Sequence, residues 1–416
     1  MPASSSAAWD GAPSDKPSAS AATAIRIDAF RAFIARSFVA VVWDLRFWCV
    51  WRPGRFNAGA GGGQRLRPDA TQSGHVNPLG QRHIFGAAAM RRLSWFCLAL
   101  FFCFATSAQA AGIQLLDADP TLAGAIWYPC AAEPQQVALG RLTMNFIDAL
   151  QGVKDCPVSG SKLPLVIIAH GRGGWFGGHD DTAQALADAG FVVAAINYRG
   201  DNGADRSQSE SLYNITTRPA DTIRLLNFML NDWRDRAVID PDKIGFFGFS
   251  AGAYTGLILA GANPDFQKIA PFCTESNKSL GCEQFRNGDI PPEPPHDSRI
   301  RAAVLADTAL NFMFSPERLA GVRIPLQIWR SKSGGGGVDP RDVVLTASGL
   351  PGKPAVHVVP AGHFAFLSPC TAKFAAELPR LCIDPAGFDR TAFHQEFNAG
   401  IVSFLRETLA LEGGRR

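Results

Sequence analysis

The pentapeptide Gly248-Phe249-Ser250-Ala251-Gly252 spells G-x-S-x-G. In a chain with 41 glycines that pattern alone says little, and its flanks give it meaning. The apolar run Lys243–Phe247 precedes it, and a small-residue helical stretch continues through Ala260. A strand–turn–helix of this kind lifts a serine hydroxyl above the end of a sheet and leaves the next N–H at a helix start. The chemistry implied is attack of a serine oxygen on an acyl carbon. A serine that merely caps a helix in an ordinary turn is the plain alternative.

A serine nucleophile needs a base, which in this architecture comes late in the chain, after the acid. His363, in Pro360-Ala361-Gly362-His363-Phe364, follows the last strand candidate and is assigned that role. His357 falls inside a strand pattern, His394 inside the closing helix and His296 in a Pro-rich loop, so these read as structural or surface residues. The acid is open between two positions. The commonest location is the turn after the run Leu326–Trp329, but there Gly334–Gly337 occupies the usual spot and Asp339 comes late. One strand earlier, Asp307 ends the run Ile300–Ala306, on the same sheet edge as Ser250. Asp307 is favoured, Asp339 is the alternative and Asp342 a remote third. The acid's task is to hold the imidazole tautomer and stabilise imidazolium.

Two N–H donors must meet the developing oxyanion. Ala251 N–H is one; the other is expected from His170-Gly171-Arg172-Gly173-Gly174, with Arg172 N–H preferred and Gly171 next. This loop matches neither phosphate-binding glycine pattern. His170 reads as a support for the loop. His179-Asp180-Asp181 reads as a helix N-terminus with favourable acids in preference to a metal site. The chemistry requires no metal or cofactor.

The elements that must position these residues follow from the hydrophobic pattern. Ile113–Leu116 and Ala123–Tyr128 read as opening strands, possible partners of each other. Leu163–Ala169 and Phe191–Ile196 are continuous apolar runs, as strands buried on both faces require. Ile300–Ala306, Leu326–Trp329 and Ala355–Val359 are further strands, and helices are expected near Asp180–Ala189, Pro219–Trp233 and Thr391–Leu411. Pro219 is placed in the first turn of its helix. The alternation predicts an α/β domain, a mostly parallel, doubly wound sheet with helices on both faces. Residues 262–299, rich in Cys, Pro and Gly, read as a loop-like insertion.

The chain has 416 residues, 47% of them hydrophobic and 19% charged, with 28 prolines, which excludes coiled-coil, collagen-like and wholly disordered classes. Residues 1–110 hold 12 basic and 5 acidic residues, leaving 28 and 32 for 111–416, so the globular part is slightly acidic and no nucleic-acid partner is expected. Residues 1–89 read as a non-native or disordered extension. Met90-Arg91-Arg92, the apolar block Leu93–Ala105 and Ala108-Gln109-Ala110 then follow the order of a secretory signal peptide, too short to span a bilayer. The remainder, 111–416, is read as one domain, secreted or periplasmic, without stable membrane insertion. Six of the nine cysteines follow the cleavage site: Cys130, Cys156, Cys273, Cys282, Cys370 and Cys382. They form sequence-local couples 26, 9 and 12 residues apart, and nearest-neighbour disulfides are the expectation among about fifteen possible pairings.

The elbow, the His170–Gly174 loop, Arg218-Pro219-Ala220-Asp221, the run Gly362–Cys370, and the tail Cys382-Ile383-Asp384 with Gly387-Phe388-Asp389-Arg390 together resemble a bacterial group. These are exported α/β-hydrolases labelled dienelactone hydrolases and related to the platelet-activating-factor acetylhydrolase family. The resemblance covers about residues 113–410 and implies an α/β-hydrolase fold. In the acetylhydrolase family the acid follows the sixth strand, which implies Asp307. Dienelactone hydrolases proper use a cysteine nucleophile; here the elbow holds Ser250, so that label does not set the substrate. The expectation is a serine esterase acting on a small carboxylic ester or lactone through an acyl-enzyme. An exported peptidase or amidase and a catalytically inactive binding protein of the same fold are the alternatives, the last supported by the glycine run at the usual acid position. Oligomeric state is not encoded in these patterns.

Overall fold

The computed structural model describes residues 111–412, with side chains through Ala410. The expected extension and signal peptide lie outside the described residues. Ten strands form the sheet: β1 (Gly112–Leu116), β2 (Gly124–Tyr128), β3 (Gln135–Ala138), β4 (Ala149–Lys154), β5 (Leu163–Ala169), β6 (Val192–Ile196), β7 (Ile239–Phe249), β8 (Ile300–Ala306), β9 (Leu326–Ser331) and β10 (Ala355–Val359). Their spatial order is β10-β9-β8-β7-β5-β6-β2-β1-β4-β3. From β10 to β6 neighbouring strands run parallel, while β2 pairs antiparallel with both β6 and β1. This order, with β2 and β3 running against the other strands and a reversal of direction after β6, is the α/β-hydrolase fold.

The helices are α1 (Asp180–Asp188), α2 (Asn214–Asn231), α3 (Ala251–Leu259), α4 (Leu280–Arg286), α5 (Pro316–Leu319), α6 (Pro340–Gly349), α7 (Ala372–Glu377) and α8 (Arg390–Glu412). The central strands are apolar on both faces because both faces are covered. Leu165 and Ile167 of β5 pack with Leu225 of α2 and Leu257 of α3, while Val166 and Ile168 pack with Leu186 of α1 and Phe397 of α8. A strand so enclosed reads as a continuous apolar run, and β5 does.

Several boundaries differ from the sequence expectations. α2 begins at Asn214, so Pro219 lies inside the helix and not in its first turn. The start is set by side chains: Asn214 and Arg218, one turn apart, both reach the carboxylate of Asp201. The hairpin of β3 and β4 extends the sheet beyond β1, where the short, polar-interrupted stretch Gln135–Lys154 carries no clear period. The 262–299 insertion is not structureless, since it holds a 3₁₀ helix, Phe266–Phe272, and α4.

The disulfides are Cys130–Cys156, Cys273–Cys282 and Cys370–Cys382, the nearest-neighbour pairing. The first ties the end of β2 to the end of β4, the second holds the insertion's 3₁₀ helix to α4, and the third brackets α7. Among the described residues, no helix is long and apolar enough to cross a membrane.

Candidate active site

Ser250 sits between β7 and α3 with φ 58° and ψ −117°, a backbone conformation costly for a residue with a side chain. Its neighbours enforce it. Ser250 N–H donates to Ala306 O at 2.9 Å, and Ser250 O accepts from Tyr254 and Ala309 N–H at 3.1 and 3.2 Å. The crossing of α3 over β5 is so close that a Cβ on Gly252 would lie 1.9 Å from Ala169 O, so only glycine fits there.

His363 opens a 3₁₀ turn, His363–Phe366, after β10. Its Nε2 lies 3.0 Å from Ser250 Oγ and its Nδ1 2.6 Å from Asp307 Oδ2. A carboxylate cannot donate, so Nδ1 carries the proton and Nε2 is left as an acceptor toward the serine hydroxyl. Asp307, fully buried, also accepts from Ser331 N–H and Ser331 Oγ, each at 2.8 Å. The Phe249 ring lies 4.6 Å from the imidazole and covers one side.

Asp339 is elsewhere. It caps α6, accepts Arg341 N–H at 2.8 Å and pairs with the Arg341 guanidinium, whose hydrogen bonds hold its carboxyl at about 2. Asp342 lies in the first turn of that same helix. The glycine run that displaces an acid from the usual turn has another role. Gly334 O accepts His363 N–H at 2.8 Å, and Gly334 N–H donates to Ser331 Oγ at 3.0 Å. All four glycines have positive φ, and a Cβ on Gly336 would lie 2.5 Å from His363 Cδ2. The run is a turn laid over the imidazole.

The loop after β5 rises against the serine: a Cβ on Gly171 would stand 3.1 Å from Ser250 Cβ. Two residues that the sequence reading did not single out as functional hold this loop. Asp201 accepts Gly173 N–H at 2.8 Å and pairs with Arg218 at 2.5 Å, both side chains being buried. Arg218 also donates to His170 O and lies 3.9 Å over the Tyr198 ring. Asn214, Arg218 and Thr222 recur at helical spacing, and that polar stripe inside an otherwise apolar face was the available signal. His170 supports the loop as expected: its Nδ1 meets Gly171 O at 2.7 Å and its Nε2 accepts Tyr198 N–H at 3.3 Å. Burial, with the Arg218 charge, pushes its pKa down to about 3, so the ring is neutral.

The far side of the His363 loop is fastened to α1 and α8. His394, placed in the closing helix by the sequence, is buried; its Nδ1 meets Asp181 Oδ2 at 2.6 Å and its Nε2 meets Ala365 O at 2.9 Å. Ser368 Oγ donates to Asp181 Oδ1 at 2.6 Å, and Asn398 donates to Oδ2 at 2.8 Å. Burial alone would raise the Asp181 pKa; the His394 hydrogen bond and charge, with Ser368 and Asn398, override it and hold the group at about 2. His179 stands at the α1 N-cap position, with its Nδ1 3.1 Å from Phe366 O. Among the described residues, no group of three or more His, Cys, Asp or Glu is arranged to hold a metal ion.

Ser250 and His363 open onto a cavity of about 950 Å³, lined by Phe146, Trp175, Phe364 and Phe374 and by the guanidinium-bearing Arg172 and Arg206. The fold is that of an α/β-hydrolase. Residues 155–280, which include the β5 loop, α2 and the serine elbow, match the family model BD-FAE, an esterase family of that fold. Among solved structures, a ferulic acid esterase from Streptomyces cinnamoneus aligns with a TM-score of 0.49 at 16% identity, over 74% of this chain and 92% of that one. No curated protein matches the sequence.

Proposed function

We propose that this chain is a serine esterase that hydrolyses a carboxylic ester or lactone through an acyl-enzyme. The observation that carries the reading is the unbroken relay Ser250 Oγ–His363 Nε2, His363 Nδ1–Asp307 Oδ2, at 3.0 and 2.6 Å. Ser250 Oγ attacks the acyl carbon as its proton passes to Nε2, and Asp307 stabilises the imidazolium that forms. The oxyanion is held by Ala251 and Arg172 N–H groups; collapse expels the alcohol, which takes the proton from His363. Water, deprotonated by the same imidazole, releases the acid. No cofactor enters any step.

The esterase family match over residues 155–280 supports ester over amide chemistry. The inactive reading drew on the glycine run, and that run now has a different explanation, as the turn covering His363. Kinship with the exported dienelactone hydrolase group and the acetylhydrolases rests on the Gly362–Cys370 run. Export to the periplasm or outside is part of the proposal, supported by three disulfides. The test is treatment of the oxidised protein with a fluorophosphonate, read by intact mass beside a Ser250→Ala control. One adduct, lost in the control, is expected. No adduct on the folded, oxidised protein would remove the esterase reading.

A further inference from the structure

The cavity has one wall that the core does not support. Residues 371–381, between Cys370 and Cys382, form α7 and a 3₁₀ turn, Pro379–Leu381, and neither element buries a residue. Yet Phe374, Leu378 and Leu381 from this segment line the same cavity as Ser250 and His363. A helix of six residues with no buried side chain has little stability of its own. Its exposed ion pair, Lys373–Asp148 at 2.9 Å, adds little more.

What holds the wall is at its two ends and its tip. The Cys370–Cys382 disulfide closes the loop. Arg390, buried at the start of α8, donates twice to Asp384 at 2.9 Å, and its Nη1 reaches Cys370 Sγ at 3.4 Å. At the tip, Phe374 meets the edge of Phe146 with ring centroids 5.2 Å apart, and Phe146 in turn meets Trp175 at 6.0 Å. These rings form an apolar rim running from α7, across the β3–β4 connection, to the loop beside the serine.

We propose that the disulfide-closed segment 371–381 is the specificity wall of the cleft, and that it receives an apolar chain of the ester against Phe374, Leu378 and Phe146. The proposal rests on the esterase reading. The wall and Ser250 line the same cavity, so a chain extending from an acyl group on Ser250 has this apolar surface within the cleft to pack against. The disulfide maintains the wall's position and thereby the preference for longer chains, without contributing to the chemical step.

The experiment compares p-nitrophenyl acetate with p-nitrophenyl octanoate on wild type, Phe374→Ala and Cys370→Ser/Cys382→Ser. Each buried methylene contributes about 0.8 kcal/mol, about fourfold, so losing a few methylene contacts raises KM for octanoate ~10-fold or more. The acetate KM, kcat and fluorophosphonate labelling rate should change far less than the octanoate KM, since short groups make little contact with the wall. A KM that is equal for both esters in wild type, or variants that slow labelling and acetate turnover as much as octanoate, would overturn the proposal. Should the double serine variant not fold, Phe374→Ala alone decides it. Binding of 2-decanone to Ser250→Ala, with and without Phe374→Ala, is read by calorimetry independently of turnover. Ketone binding that weakens ~10-fold without Phe374, in a chain whose wild type hydrolyses no ester, would keep the wall and remove the esterase. Ketone binding indifferent to Phe374 would remove the wall.

Discussion

Replacing Gly336 by alanine should disable the enzyme without unfolding it. At Gly336 the backbone has φ 57°, and the added Cβ would meet His363 Cδ2 at 2.5 Å and Nε2 at 3.2 Å. Ordinary van der Waals contact begins near 3.4 Å, so the imidazole must retreat by about 0.9 Å. The Ser250–His363 contact is 3.0 Å, and a retreat of that size takes Nε2 out of hydrogen-bond range of the hydroxyl. Misplacement by about 1 Å at a reacting centre costs roughly 100-fold in rate. The left-handed conformation adds about 1–2 kcal/mol of strain for a residue with a Cβ, a loss visible in urea denaturation. Gly337→Ala supplies the control: φ is 86° and nothing lies within 4 Å of the new Cβ, so it should show comparable strain but near-normal kcat. The assay is kcat for p-nitrophenyl acetate beside urea midpoints for the two variants. A Gly336→Ala enzyme with wild-type kcat, or equal loss in both variants, would refute the steric reasoning.

Other outcomes follow from the same geometry. Asp307→Asn should lower kcat by about 10⁴, because the imidazole tautomer is lost, while Asp339→Asn should leave both kcat and the urea midpoint close to wild type, since asparagine caps a helix as well as aspartate does; steady-state kinetics and denaturation read both. Asp201→Ala leaves the buried Arg218 guanidinium without its carboxylate and frees Gly173 N–H; a stability loss of about 3–5 kcal/mol is expected in urea titration, and a loss under about 1 kcal/mol would contradict the role given to the pair. Stability should rise with pH from about 4 to about 6.5. Folding depresses the pKa of His170 to about 3 and of His179 to about 4, in both cases mainly by burial, so over that window the unfolded chain holds protons that the folded chain lacks. Asp180 opposes this: burial, with the charge of Asp181, raises its pKa to about 6, so it favours the folded state less as pH climbs from about 4 to about 6. Asp180→Asn should therefore steepen the rise, as measured by melting temperature across that range, and a flatter profile in the variant would contradict the assignment.

Much of this protein is written locally. Leu163–Ala169, Val192–Ile196 and Ile300–Ala306 announce themselves as strands because a strand covered on both faces must be apolar along nearly all its length. Ser250 is marked by an elbow whose glycines and flanking elements are consecutive in the chain, and His363 by its place after the last strand. Cysteine spacing made nearest-neighbour pairing the expectation among the alternatives, and the structure has that pairing. Residues that act through space were less legible. Strand position favoured Asp307 over Asp339 in the sequence without excluding the latter, because which carboxylate faces the imidazole depends on how β8, β9 and the His363 loop converge. The same convergence turns the glycine run from an apparent erosion of the site into the turn that covers His363. Asp201 and Arg218 are 17 residues apart and ordinary in type; only packing of α2 against the β5 loop buries them together. His394 looked like one more residue of a closing helix until α8 brought it onto Asp181 and Ala365 O. Periodicity and turn chemistry are set by neighbours along the chain and survive in the sequence, whereas which buried polar groups satisfy one another is set by burial itself and exists only once the sheet and its helices have closed.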